Sequence, residues 1–348
     1  MTGKPGVTTN PTVSMPDPRD PKRGIYDIWL APERRYAPPY TGVRRLREGS
    51  PVSSPTDRRT VFIAGATGDT GRVAVRESLA LGLQVRAMVH KKDSRSDALE
   101  KLGAEIAVGD LLEIDSIRAA MEGVDAAYFV WPVQTGLINA VVNFAQAGKE
   151  AGGPTIVNLS QRSARRESKS HSCRDSYIAE QVFNWSGLPV VHLRPTYFLE
   201  WLLYPWQLPY LRQGILRMPV GKGRHSPIAA DDQGRAIAAI LMAPEPHIGK
   251  TIPLSGPVEM DHEQMAAELS EALGRKIVFQ DLPITEYCAS LEAMGVPAYI
   301  VQHLSGAMED YQNGVMSGAD DNVERLTGRR PMTVREFTRV HAATLNGS

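Results

Sequence analysis

Thr60-Val-Phe-Ile-Ala-Gly-Ala-Thr-Gly-Asp-Thr-Gly-Arg72 is the stretch that decides the fold. It reads as a short apolar strand, a glycine-rich turn and the start of a helix. Gly65, Gly68 and Gly71 recur at every third position. Bare backbone then falls where the chain turns sharply, where a pyrophosphate approaches, and where the helix packs on the strand. The free N–H groups of the helix start and the positive end of its dipole face an anion. Thr67, Asp69 and Thr70 belong to the same turn and are read with the glycines as cofactor contacts.

Outward from this turn the chain alternates. Strands are expected at Thr60–Ala64, Gln84–Val89, Glu105–Val108, Asp125–Trp131, Thr155–Ser160 and Val190–Arg194, with helical patterns between them. Continuous apolar runs such as Ala126-Ala-Tyr-Phe-Val130 suit a parallel sheet buried on both faces. Strand alternating with helix predicts right-handed crossovers and an α/β, Rossmann-type doubly wound sheet. The glycine turn then sits at the carboxyl end of the first strand, where such folds bind nucleotides. Beyond residue 196 the pattern is less regular. Helices are expected at Asp261–Gly274, Ile284–Gly295, Ala298–Asn313 and Val334–Leu345, and a strand at Lys276–Gln280. They predict a small, mainly helical C-terminal subdomain forming the other wall of a cleft. Asp231-Asp232 reads as a helix cap.

The 348 residues carry no net formal charge, so no whole-molecule field argues for nucleic acid or a membrane. Cys173 and Cys288 are the only cysteines, too few for a disulfide framework, which fits a reducing compartment. No signal-peptide core or spanning apolar run is read, and a cytoplasmic protein is expected. The charge is uneven along the chain. Residues 1–59 hold 11 Lys/Arg against 6 Asp/Glu and 10 of the 25 prolines, which predicts an irregular N-terminal arm. Tyr26, Trp29, Leu30, Tyr36 and Tyr40 open an alternative, an arm that lies on the domain or on a second protomer of a homodimer.

With these pieces in order, the chain resembles the NmrA-like branch of the atypical short-chain dehydrogenases. The likeness is carried by Gly65-Ala-Thr-Gly-Asp-Thr-Gly71, Val85-Arg-Ala-Met-Val-His90, Gly109-Asp110, Val157-Asn-Leu-Ser160, Ser186-Gly-Leu-Pro189 and Leu193-Arg-Pro-Thr-Tyr-Phe198. Leu254-Ser-Gly-Pro257 and Leu269-Ser-Glu-Ala-Leu-Gly274 extend it to cover residues 60 to about 340. The resemblance implies a nicotinamide dinucleotide, with Asp110 and Leu111 near the adenine. It places Val130, Trp131 and Pro132 beside the nicotinamide ribose, with Ser160, Pro195, Thr196 and Tyr197 closing the site. The second strand ends at His90-Lys91-Lys92, where such folds place either an acid for the ribose hydroxyl or a cation for a 2′-phosphate. NADP(H) is therefore preferred, with NAD(H) the alternative.

Short-chain dehydrogenases resembling this chain place Tyr-x-x-x-Lys on the helix after the fifth strand, where the phenol moves the proton and the ammonium lowers its pKa. Here Tyr177 is followed four residues on by Gln181, and the lone-lysine position of isoflavone-type reductases falls at about Ser176. Ser160, Gln161 and Tyr177 remain as catalytic candidates, the Ser160 hydroxyl or the Gln161 amide as donor to a developing oxyanion and Tyr177 as a phenol with no activating cation nearby in sequence. The basic loop Arg162–His171 reads either as a lid, with His171 as acid, or as a solvated loop. The aromatic segment from Tyr197 to Tyr210 supplies Phe198 and Trp201, which with Trp131 and His171 are the substrate candidates. No metal site is read. Three functions stay open: an NADPH-dependent reductase of a small aromatic carbonyl or quinone compound, a non-catalytic NADP(H)-sensing regulator, and a redox-neutral enzyme.

Overall fold

The computed structural model describes residues 59–347. The expected arm lies outside the described residues except for Arg59, whose carbonyl receives Gln84 N–H and whose guanidinium meets Glu245 at 2.6 Å. The first half alternates strictly: Thr60–Ile63 (β1), Asp69–Ala80 (α1), Gln84–Val89 (β2), Ser94–Lys101 (α2), Glu105–Val108 (β3), Ile114–Met121 (α3), Ala126–Phe129 (β4), Leu137–Glu150 (α4), Thr155–Leu159 (β5), His171–Trp185 (α5) and Val190–Pro195 (β6). Then come a 3-10 turn at Leu199–Leu203, Leu208–Arg212 (α6), Ile215–Arg217 (β7), Ala230–Met242 (α7), Thr251–Leu254 (β8), His262–Leu273 (α8) and Val278–Gln280 (β9). Ile284–Ala293 (α9), Ala298–Gln312 (α10), Asn322–Thr327 (α11), Val334–Val340 (α12) and Ala342–Asn346 (α13) complete the described chain.

The main sheet is parallel, in the order β3-β2-β1-β4-β5-β6-β8. The order reverses between β1 and β4, which opens a crevice at their carboxyl ends. It has one strand more than the six expected. β8 carries Pro253 and sits at the edge, where a strand tolerates a residue that cannot donate to a neighbour. One face is closed by α1, α2, α7 and α11 over Val61, Ile63, Val85 and Leu193. The other is closed by α3, α4 and α5, where Phe129 and Phe183 set their rings edge-on at 5.3 Å. A second parallel pair, β7 with β9, belongs to the C-terminal region, which is therefore not purely helical.

The expected strand at Asp125–Trp131 ends at Phe129, and the expected helix at Val334–Leu345 breaks at His341. The Asp231-Asp232 cap is corrected. Ala229 occupies the cap position of α7, and the buried Glu200 carboxyl group accepts the Ala230 N–H instead, at 3.0 Å from both oxygens. Asp231 pairs with Arg76 of α1 at 2.7 Å. Asp232 pairs with Arg235 and accepts Met332 N–H at 2.7 Å, clamping the C-terminal chain onto α7. Among the described residues no helix is long and apolar enough to cross a membrane.

The tightest contact between the helices is α1 against α7. A methyl group at Gly234 would lie 2.4 Å from Val73 Cβ. Gly234→Ala is therefore expected to lower stability by about 1–3 kcal/mol despite the better helix propensity of alanine. Urea unfolding measures it, and an unchanged or raised midpoint contradicts this packing.

Candidate active site

The glycine turn is a cradle that side chains would fill. Gly65 adopts φ +59°, and a Cβ there would come within 2.7 Å of Val130 Cγ1. Gly68 donates to Gly65 O at 2.9 Å and caps α1 without any side chain to satisfy its first-turn N–H groups. A Cβ on Gly71 would lie 2.1 Å from Gly65 O, so the helix start presses directly on the turn. Thr70 points inward, its hydroxyl 2.9 Å from the buried Tyr128 phenol of β4. Thr67 and Asp69 are half-buried at the rim, with Asp69 paired to Arg72 at 2.8 Å. This open, uncapped helix start fits a dinucleotide pyrophosphate.

Beside it, His90, Lys91 and Lys92 are exposed beyond the end of β2. Asp93 is the cap of α2, and Arg95 grips its carboxylate at 2.6 and 3.0 Å, which holds its pKa below the usual range. That carboxylate is thus committed, and the cations at the strand end face outward. His90 Nδ1 lies 3.7 Å from Asp110 Oδ2, whose other oxygen accepts Leu112 N–H. Leu111 O accepts from Asn143 of α4. Val130 and Trp131 are half-buried and Pro132 exposed after β4. The Trp131 indole donates to Gln134 O and lies over Gly136 near Leu112, on the Asp110 side of the crevice.

At the ends of β5 and β6 the substrate candidates separate. Ser160 Oγ is buried and has no partner. Gln161 is committed to α5: its amide nitrogen donates to Ser172 Oγ and Ser176 Oγ, both at 2.9 Å, and its oxygen receives the Cys173 thiol at 3.3 Å. Burial pushes the Cys173 thiol up to about 11, which makes it inert. Tyr177 is half-buried on the flank of α5. Pro195 and Thr196 are buried, Thr196 donating to Ser226 O, and Tyr197 stands behind Trp201 with ring centroids 5.4 Å apart. Phe198 and Trp201 are half-buried, whereas His171 is exposed at the first position of α5. The Arg162–His171 segment is not a free lid. Arg165 pairs with Asp310 of α10, Arg162 holds Ser317 O, and Gln302 of α10 binds both Lys169 O and His171 N.

The family model that matches is the NmrA-like family, over residues 57–338. This chain belongs to the NmrA-like family. An NAD(P)H azoreductase of Xenophilus azovorans is 27% identical over 83% of this chain and 100% of its own length. The Escherichia coli quinone oxidoreductase QOR2, crystallised with NADPH, has the same fold with a TM-score of 0.72, 23% identity and coverage of 80% and 98%. The negative transcriptional regulator NmrA, solved with NADP, superposes with a TM-score of 0.68 at 19% identity, covering 81% of this chain and 94% of that one.

Reading the sequence of this NmrA-like chain missed three buried histidines behind Trp201. His225 and His262 lie with ring centroids 4.7 Å apart at a tilt of 48°, against Tyr197 and Tyr311. His303 and Trp201 set their rings nearly perpendicular, with centroids 6.4 Å apart. Both His225 nitrogens, His262 Nδ1 and the Tyr197 hydroxyl are buried without partners. The one signal available was the spacing of His303 with Leu304, Ala307 and Met308 on an apolar helix face. Burial lowers all three imidazoles, to about 3 at His262, about 4 at His303 and well below the ordinary value at His225.

All three are neutral in the folded protein and take a proton on unfolding once the pH falls below the ordinary value of about 6.5. Their stabilisation is complete above that value and is lost as the pH falls toward the folded values. Glu200 opposes them. Burial, with Asp69 nearby, raises its pKa to about 8, so it adds stability between there and the ordinary carboxyl range. The three imidazoles outweigh Glu200, and His192, also lowered by burial, acts with them, so stability is expected to fall by about 2 kcal/mol between pH 7.5 and 5.5. Urea titrations at pH 7.5 and 5.5 measure it, and His225→Leu is expected to flatten the slope by about one proton. Equal stability of the native chain at both pH values contradicts the burial of these rings.

Proposed function

We propose that this chain is an NADPH-dependent reductase of planar aromatic acceptors, quinones and azo compounds among them. The observation that supports the reading is the uncapped glycine turn at the start of α1, with an aromatic segment following β6. Gly65, Gly68 and Gly71 bring backbone to the pyrophosphate, and His90, Lys91 and Lys92 meet the 2′-phosphate. Asp110 and Leu111 border the adenine, and Val130, Pro132, Pro195 and Thr196 line the nicotinamide. Bound there, NADPH supplies a hydride. Phe198 and Trp201 stack on the flat acceptor and exclude water. Ser160 Oγ, buried without a partner, donates to the acceptor's polar atom in the manner of an oxyanion hole. The azoreductase and QOR2 likenesses support an oxidoreductase on this fold.

A second reading, a regulator that senses NADP(H), is favoured by one feature. Ser176 and Gln181 stand where resembling enzymes carry lysine, and Ser176 is spent on Gln161. NADPH oxidation against menadione, methyl red and aromatic ketones separates the two. Turnover with menadione or the dye supports the reductase. Tight NADPH binding with no turnover across the panel supports the regulator.

Two variants test the cofactor assignment. Gly68→Val puts a branched side chain into the cradle and is expected to abolish NADPH binding by calorimetry in a protein that still folds. Undiminished affinity removes the cradle from the site. Lys91→Ala with Lys92→Ala is expected to weaken NADPH at least tenfold more than NADH, about 1.4 kcal/mol of discrimination. Equal losses for the two cofactors mean that these residues do not read the 2′-phosphate.

A further inference from the structure

We infer that His303 of α10 is the hydrogen-bond donor that α5 lacks, presenting a neutral imidazole N–H to the polar atom of the aromatic ligand. The inference rests on the reductase reading for its chemistry but not for its geometry. His303 Nδ1 is 2.9 Å from Ser170 Oγ, and that oxygen already accepts Cys173 N–H at 3.2 Å. The Ser170 proton is then free to go to Nδ1, which leaves the ring proton on Nε2. The Cys173 thiol, 3.9 Å from Nδ1, is turned to Gln161 Oε1 and does not compete. Nε2 has no hydrogen-bond partner among the described residues. The ring as a whole is buried, at 4% exposure. The Trp201 ring stands nearly perpendicular to the same imidazole.

The ring is also held in place. A Cβ on Gly306, three residues on, would lie 2.4 Å from Ser170 N, so α10 touches the backbone that leads into α5. The Arg165–Asp310 pair, with Nη1 to Oδ2 at 2.8 Å, and the two Gln302 bonds lock the same approach. A fixed ring orientation and an unpartnered donor thus coincide at one residue beside Trp201.

Burial keeps the imidazole neutral, so it lends its proton without giving it up. As an acceptor takes a hydride, negative charge gathers on its carbonyl oxygen or azo nitrogen. The Nε2–H group stabilises that charge, and water supplies the proton that completes the reduced product. A donor of this kind is worth about a hundredfold in rate.

The test uses the full chain loaded with NADPH, and 1-naphthol as a ligand that cannot be reduced. His303→Leu is expected to weaken 1-naphthol about fivefold by calorimetry, one ordinary hydrogen bond. NADPH affinity should not change. His303→Gln, which reaches to the Nε2 position with an amide, should restore binding. With menadione, His303→Leu should lower kcat about a hundredfold with little change in KM, and His303→Gln should retain most of it. Equal 1-naphthol affinity in the native chain and His303→Leu, or no 1-naphthol binding at all, overturns the inference whether or not the protein turns over. Failure of the native chain to oxidise NADPH, with the naphthol difference intact, overturns the reductase reading and leaves His303 as a ligand contact. If His303→Leu does not fold, the comparison of His303→Gln with His303→Met decides by the same measure.

Discussion

The backbone contact between Gly65 and Gly71 is the constraint on which the rest of the site depends. No side chain fits at Gly71, since even a Cβ would fall 2.1 Å from the Gly65 carbonyl. The contact seats the first turn of α1 on the end of β1, and the Thr70–Tyr128 bond ties that turn to β4 across the switch point. Behind α1 stands α7, close enough to need Gly234, and the first N–H of α7 is held by Glu200 from the aromatic segment. Glu200 in turn feels the charge of Asp69 in the glycine turn. The glycine turn and the aromatic segment are therefore one packed unit, and a shift at the turn is transmitted through side chains with no slack.

The opposite wall is built from α5 and α10, and electrostatics sets their distance. Asp310 is almost wholly buried and its charge is answered by Arg165 from the loop before α5. An unpaired carboxylate in that position would cost several kcal/mol, so the loop has little freedom to lift away. This is why a segment rich in Arg, Lys and Ser, whose composition reads equally as a lid, is instead a fixed floor. Its serines face inward as caps and ring partners: Ser170 caps α5 and holds His303.

The alternating half of the chain was legible because parallel strands buried on both faces leave continuous apolar runs, and because the glycine spacing has a geometric cause. The expected strands lie within two residues of the observed ends. What escaped is long-range. β8 is four residues with a proline, and only its place beside β6 makes it a strand. Asp231-Asp232 has the local look of a cap, yet its partners Arg76 and Met332 are 155 and 100 residues away. Gln161 reads as a free amide at a strand end until α5 brings Ser172, Cys173 and Ser176 against it. The three histidines were invisible for the same reason, since each lies on a different element and nothing local marks it as a member of a cluster.

The α5 wall shows what this chain does in place of a catalytic lysine. Ser176, buried at the lysine position of resembling reductases, is neutral, and so are Ser172, Gln161 and Cys173, whose thiol is held protonated. An ammonium there would carry a desolvation cost that only a fixed counter-charge repays, and the buried carboxylates of this wall, Glu180 and Asp310, already belong to Arg194 and Arg165. The wall therefore offers oriented dipoles and no mobile proton. Such a surface lowers a barrier only where the acceptor spreads its new charge over its own π-system, because a localised alkoxide needs a proton as it forms. A quinone or an azo dye meets that condition and a simple ketone does not. Under the reductase reading, the lack of a charged group where α5 places Ser172, Cys173 and Ser176 is itself the determinant of acceptor class, ahead of the shape of the aromatic pocket.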